Sequence, residues 1–270
     1  MEATIIELYE EILKIKAEGG SAALATIIGA EGSTPREVGA KMLVREDGTI
    51  FGTIGGGCLE GRVIVEAIMV IREEKSRTFH YDLTGTEAAG AGMICGGVLD
   101  IYIEPIIPTP TVFIFGGGHI SLFVSKISAM VGFRVAVIDD RAQFASKERF
   151  PEAEQVIAEE FFLAFAQLKV NRSSYLVIVT RGHVYDREVL EWALNTEAGY
   201  IGMIGSKKKT RDVYKGLEEK GVSREKLQRV HAPIGLDIGA LTPEEIAVSI
   251  VGQMVQVRRE IRKGKAPDSR

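Results

Sequence analysis

The chain has 270 residues, enough for two ordinary domains that each bury a core of their own. Apolar residues make up 46% and charged residues 26%, the balance of a globular protein rather than of a disordered or membrane-spanning chain. Lys and Arg total 33 against 37 for Asp and Glu, and the net charge of -4 argues against a protein whose main business is binding nucleic acid.

In chain order, the opening segment EATIIELYEEILKIKAEGG sets Ile5, Leu8, Ile12 and Ile15 at helical spacing among charges. That pattern predicts an amphipathic helix and not a signal peptide. Strands are predicted over AALATIIGA, AKMLV and TIFGTIG, the last two joined by a turn at Asp47 and Gly48. A helix follows Gly57, and further strands end at Glu104. The apolar stretch VIVEAIMVI carries Glu66, and HISLFVSKISAMVGFRVAVI carries Lys126 and Arg134, so no membrane span is expected. Two cysteines, Cys58 and Cys95, make neither a disulfide framework nor a four-cysteine zinc site. Their low number fits a reducing, cytoplasmic compartment, and no metal site is expected.

Pro105, Pro108 and Pro110 then predict a linker at 105–111. Beyond it, strands TVFIFGG, FRVAVIDD, SYLVIVT and GYIGMIG interleave with helices HISLFVSKISAMVG and REVLEWALNT, the alternation of a parallel α/β sheet. The last helix opens with Thr242 as N-cap, Pro243 in the first turn and Glu245 as the capping-box acid. Residues 263–270 read as a frayed tail. The fold class is therefore α/β, with an N-terminal α+β domain over 1–104 and a Rossmann-like parallel-sheet domain over 112–262.

Two glycine clusters stand out. In GTIGGGCLEG, Gly55, Gly56 and Gly57 run into Cys58 at the start of a helix, without the Lys-Ser/Thr ending of a P-loop. A bare backbone at a helix N-terminus offers N–H groups and the positive end of the macrodipole to an anion. In TVFIFGGGHISLF, Gly116 and Gly118 fill the first two places of a dinucleotide fingerprint, and Ser121 stands where a third glycine would. Asp139 ends the second strand about 20 residues on, where an acid would bond a ribose hydroxyl and favour NAD over NADP.

Seven segments in linear order, GSTPREVGAKMLV, GTIGGGCLE, GMICGGVLDIYIEP, FIFGGGHIS, VIVTRGHVYD, YIGMIGSKKK and HAPIGLDIGALTPEEIAVSI, together resemble the XdhC/CoxI family. Its members are accessory proteins for xanthine dehydrogenase and related molybdenum hydroxylases. The resemblance implies a chaperone that transiently binds the molybdenum cofactor, a molybdopterin, while its terminal sulfido ligand is installed. It then helps to insert the cofactor into an apo molybdenum hydroxylase, and a cysteine desulfurase fits beside it as a second partner. A homodimer stays open.

Such a ligand is a pterin with a phosphate and a metal-holding dithiolene, so its binder needs an anion cradle, donors for the pterin and a group near the metal. Gly55, Gly56 and Gly57 supply the cradle in this reading, and Cys58 is placed as a transient partner for molybdenum or a sulfur donor. Cys95 is the second thiol, flanked by apolar Met93, Ile94 and Val98. Arg36 and Lys41 add cations, and Ser33 and Thr34 add donors. In the second domain Gly116, Gly118, His119 and Asp139 face the nucleotide side, and Arg181 and His183 follow a strand at the ligand-binding end of such sheets. Plainer readings stay open: a packed Cys58, a buried Cys95, a solvated 33–41 loop, and Asp186 as a helix cap. Lys207, Lys208, Lys209 and Arg211 after a capping Ser206 read as a solvated basic face, with an anionic ligand or acidic partner at the first turn as the alternative. The alternative function is an NAD(P)-dependent oxidoreductase, though no pairing of acid, base and substrate-orienting residues supports it.

Overall fold

A computed structural model describes residues 4–83 and 96–262. It divides into two compact units, Met1–Pro108 and Thr109–Arg270. Cys95 and the tail at 263–270 lie outside the described residues.

The first unit is a five-stranded antiparallel sheet with a helix on each face. Its described elements are α1 (Ile5–Ala17), β1 (Ala22–Gly32), β2 (Lys41–Arg45), β3 (Ile50–Gly52), α2 (Gly57–Glu73), β4 (Arg77–Asp82) and β5 (Gly97–Ile106). The strand order is β3-β2-β1-β5-β4. Period-two alternation sends Ala22 and Leu24 of β1 to one face and Ala23, Ala25 and Ile27 to the other. The first face is covered by Leu8 and Ile15 of α1, and the second by Leu59, Val63, Ala67 and Val70 of α2. Thr4 and Glu7 close a capping box at the start of α1. The β2–β3 hairpin turns where Asp47 and Gly48 predict it, with Thr49 N–H donating to Asp47 Oδ1 at 2.9 Å. Strand β5 runs on through Pro105 to Ile106, leaving residues 107–110 as the connection.

The second unit holds β6 (Thr111–Phe115), α3 (His119–Met130), β7 (Arg134–Ile138), β8 (Gln155–Ile157), α4 (Phe161–Phe165) and β9 (Ser174–Ile178). It continues with α5 (His183–Ala193), β10 (Tyr200–Met203), α6 (Lys207–Glu218), α7 (Arg224–Gln228), β11 (Val230–His231) and α8 (Pro243–Arg262). All six strands are parallel, in the order β11-β10-β9-β6-β7-β8. Counted from β6, this is the 3-2-1-4-5-6 order of a doubly wound dinucleotide fold. The sheet is buried on both faces, so β9 carries five buried residues in a row with no alternation. Val124 of α3 and Ile250, Met254 and Val257 of α8 pack on one face, and Val189, Leu190, Val213 and Leu217 of α5 and α6 pack on the other. Thr242 and Glu245 bond reciprocally at the head of α8, as the sequence predicts. Strands β8 and β11 and helices α4 and α7 are not predicted by the sequence pattern. Among the described residues, no helix is long and apolar enough to cross a membrane.

Candidate functional site

Register places the N-terminal motifs together. Gly32 at the end of β1 pairs with Gly97 at the start of β5, Lys41 at the start of β2 pairs with Thr26 of β1, and Gly52 ends β3 beside Met42. The 33–40 loop, the 53–56 loop and the entry to β5 therefore all leave one end of the sheet, where α2 also begins. Glycines let them touch. A Cβ on Gly55 would sit 2.5 Å from Pro35 Cγ, and one on Gly97 would sit 2.8 Å from both Ser33 O and Thr34 Cγ2. Ser33 is exposed, Thr34 and Arg36 are half-buried, and Thr34 Oγ1 donates to Arg36 O at 3.1 Å. Cys58, in the first turn of α2, is exposed and in no disulfide.

The glycine run differs from the expectation of unpaired N–H groups. Glu60 Oε1 accepts from Gly56 N–H at 3.0 Å, Ile54 N–H at 3.1 Å and Thr53 Oγ1 at 2.5 Å, and Gly55 N–H donates to Thr53 Oγ1 at 3.2 Å. An acid in the first helical turn satisfies the donors that a helix start leaves over. Its signal in the sequence is the E of GGGCLE, three residues past the glycines. No side-chain cap is made at the N-cap, and nothing lies within 4 Å of where a Cβ on Gly56 or Gly57 would project.

A pocket of about 200 Å³ opens at the same end of the sheet, with Arg36, Lys41 and Thr53 in its wall and Leu8 among its apolar residues. Lys41 Nζ donates to Thr26 Oγ1 at 3.0 Å, which fixes the ammonium.

In the second unit the candidates gather at the C-terminal ends of the parallel strands. Gly116 has φ +108°, and a Cβ there would lie 2.5 Å from Val179 O, so the tight turn after β6 needs glycine on two counts. Gly117 is pressed against Phe144 O, whereas Gly118 faces open space at the N-cap of α3. Ser121 is buried and donates to Gly116 O at 2.5 Å, a small residue where helix meets strand. His119 is exposed at the first position of α3. His183 opens α5, and its side chain lies outside the described residues.

Asp139 is engaged within the chain. Its Oδ2 accepts from Gly117 N–H at 2.8 Å and Arg141 Nη2 at 3.0 Å, and its Oδ1 from Arg141 Nε at 2.9 Å and Arg141 N–H at 3.0 Å. Burial alone would raise this carboxyl, but the Arg141 guanidinium and the two amides outweigh it and hold the carboxyl below the ordinary aspartate value. Arg181, after β9, donates to Asp140 Oδ2 at 2.7 Å and to Tyr185 Oη at 2.8 Å, joining the turns on either side of β6. Sequence reasoning misses Arg141, although an Arg two places after the strand-end acid is within reach of it.

Asp186 does not cap α5; the N-cap is Gly182. Asp186 is fully buried, accepts from Thr180 Oγ1 at 2.6 Å and pairs with Lys209 Nζ. The basic cluster is thus not wholly a solvated face, because Lys209 turns inward to this carboxylate. Ser206 caps α6 by accepting from Lys209 N–H at 3.2 Å.

Comparison with known proteins bears on both units. The model described as the XdhC Rossmann domain matches residues 112–254, and that of the XdhC and CoxI family matches residues 15–82. The chain belongs to the XdhC and CoxI family. It is 35% identical over 254 residues to YqeB of Escherichia coli (strain K12), covering 94% of this chain and 46% of that protein. The chain therefore spans about half the length of that relative. It is 23% identical to a probable subunit of xanthine dehydrogenase from Bacillus subtilis (strain 168), over 89% of this chain and 94% of that one. It is also 23% identical to the molybdenum cofactor insertion chaperone PaoD of Escherichia coli (strain K12), over 95% and 91% of the two chains. The crystal structure of a xanthine dehydrogenase from Bacillus halodurans superposes with a TM-score of 0.53 at 26% identity, covering 96% of this chain and 98% of that one.

Proposed function

We propose that this member of the XdhC and CoxI family is an accessory chaperone that binds the molybdenum cofactor and hands it to a xanthine dehydrogenase or a related molybdenum hydroxylase. The observation that carries the reading is the meeting of three motif-bearing segments at one end of the antiparallel sheet. There Pro35 meets Gly55, Ser33 and Thr34 meet Gly97, and Arg36, Lys41 and Thr53 share a pocket, while Cys58 is exposed at the start of the helix that follows the 53–56 loop. The groups suit the cargo: Arg36 and Lys41 for phosphate, Ser33 as a donor and Thr34, whose hydroxyl already donates to Arg36 O, as an acceptor for pterin, and Cys58 for the metal or an incoming sulfur. The names of two relatives that align over nearly their whole length support the same reading. Protection during sulfuration, delivery to the apo-hydroxylase and contact with a cysteine desulfurase are parts of the proposal.

The dinucleotide alternative has the strand order in its favour, but the acid that would hold a ribose already binds Arg141 and Gly117. The deciding experiment is equilibrium binding of isolated molybdenum cofactor to the purified chain, with NAD and NADP in parallel. Cofactor retention that drops several-fold in Cys58→Ser is the expected result. Tight NAD binding with no cofactor retention would overturn the reading.

A further inference from the structure

A helix start with a glycine run is the obvious phosphate cradle, yet here its donors already hold an anion. Glu60 Oε1 takes the N–H groups of Ile54 and Gly56 and the hydroxyl of Thr53. A phosphate entering that position would have to displace a carboxylate that remains tethered one helical turn away, and the two like charges would repel.

The pocket beside it has the opposite character. Among its described lining residues Arg36 and Lys41 carry charge, both positive, and none is acidic. Lys41 spends one of its three N–H bonds on Thr26 and keeps the other two for a ligand. Gly52 lies so close to the Lys41 carbonyl that a Cβ there would sit 2.7 Å from it, which holds β3 against the start of β2 and shapes the wall. Gly39, also in the lining, has φ +97° and nothing within 4 Å of a Cβ position. Glu7, the acid nearest in sequence to the α1 residues of the pocket, is occupied by its capping box with Thr4. A volume of about 200 Å³ accommodates a phosphate group.

We infer that the Arg36–Lys41 pocket is the phosphate subsite of the N-terminal unit, and that the glycine run with Glu60 is a rigid frame presenting Cys58 rather than the anion cradle. The phosphoryl group is the chemistry recognised, whether it ends a pterin side chain or links it to a nucleotide. This assignment rests on the proposed function only for the identity of the cargo; the phosphate site stands or falls by itself.

The test uses the full chain, with inorganic phosphate and pyrophosphate as probes and sulfate as a control, followed by backbone amide shifts and calorimetry. In the wild type, phosphate should move the amides of Gly39, Lys41 and Thr53 and leave those of Gly56 and Cys58 in place. Arg36→Gln and Lys41→Met, which keep most of the side-chain stem, should each weaken phosphate binding about tenfold, the scale of one charge-assisted hydrogen bond. Glu60→Gln, which neutralises a carboxylate bonded to Thr53 of the pocket wall, should change binding by less than either of these. Shifts centred on Gly56 and Cys58, or tighter binding in Glu60→Gln with no loss in the other two, would overturn the assignment, as would the absence of any localised shift. The wild-type shifts decide the point even if a variant fails to fold. If pyrophosphate binds more tightly than phosphate at the same amides, a diphosphate-linked cargo is indicated; equal or weaker binding indicates a monoester. Phosphate held at the pocket without capture of molybdenum cofactor would sink the proposed function alone. Cofactor capture unchanged in Arg36→Gln and Lys41→Met would sink this assignment alone.

Discussion

Glu60 shows how one side chain decides what a motif can do. Its carboxylate accepts three hydrogen bonds from the 53–56 loop, so removing it orphans donors that lie under the start of α2. Glu60→Ala should lower the stability of the N-terminal unit by about 1–2 kcal/mol, the scale for half-buried donors left without a partner. Glu60→Gln, which keeps an acceptor oxygen, should lose clearly less. Thermal unfolding of both variants by far-UV circular dichroism checks this; equal losses would mean that charge, not acceptance, matters. The neighbouring glycines divide by cause. Gly55 is required both by Pro35 against it and by its φ of +135°, whereas Gly56 and Gly57 are required by positive φ alone, at 81° and 66°. Substituting the latter two strains the backbone without a clash, so it tests the loop's shape and not its packing.

At the scale of elements, Asp139 ties the end of β7 to the turn after β6 and to Arg141. Its folded carboxyl lies below the unfolded value of about 3.9, so the stabilisation is complete above that pH and is lost as pH falls through the folded value. Asp139→Asn should therefore cost about 3 kcal/mol at pH 7, the scale for a buried ion pair with one partner removed, and progressively less below pH ~4. Urea titrations at pH 7 and pH 3, read by tryptophan emission, give the two values. A cost independent of pH would mean that the carboxylate charge contributes nothing.

The same elements show what the sequence could and could not tell. Long amphipathic or uniformly apolar segments such as α2 and β9 announce themselves by period. Strands β8 and β11, three and two residues long at opposite edges of the parallel sheet, are too short to carry one. The glycine runs and their flanking helices were legible because positive φ and helix starts leave a local signature. Gly97 against Ser33, or Lys209 against Asp186, joins residues far apart in the chain, and no local pattern records such a meeting. The acidic occupant of the glycine run was local and legible, but a spacing read only for its glycines passes over it.

At the scale of the whole molecule, each unit has its own sheet and its own cores, which bears on where a signal originates. The chain's single tryptophan, Trp192, lies in the second unit. Its ring stacks on Phe165 with centroids 4.3 Å apart and meets Phe115 edge-on at 5.6 Å. Both partners belong to the same unit, as do all six strands of the parallel sheet and the helices on both its faces. A fragment of residues 109–262 thus carries every described contact of Trp192 and the cores that hold it. It is also of a size that ordinarily folds alone. Expressed by itself, this fragment should show the tryptophan emission maximum of the full chain and unfold in one cooperative urea transition. It should lack phosphate binding, because Arg36 and Lys41 lie in the other unit. Red-shifted emission with no transition would mean that the second unit needs the first in order to fold. Phosphate binding by the fragment would move the anion site away from the pocket and onto the α3 or α5 N-termini, whose N-caps are glycines without side-chain donors or acceptors.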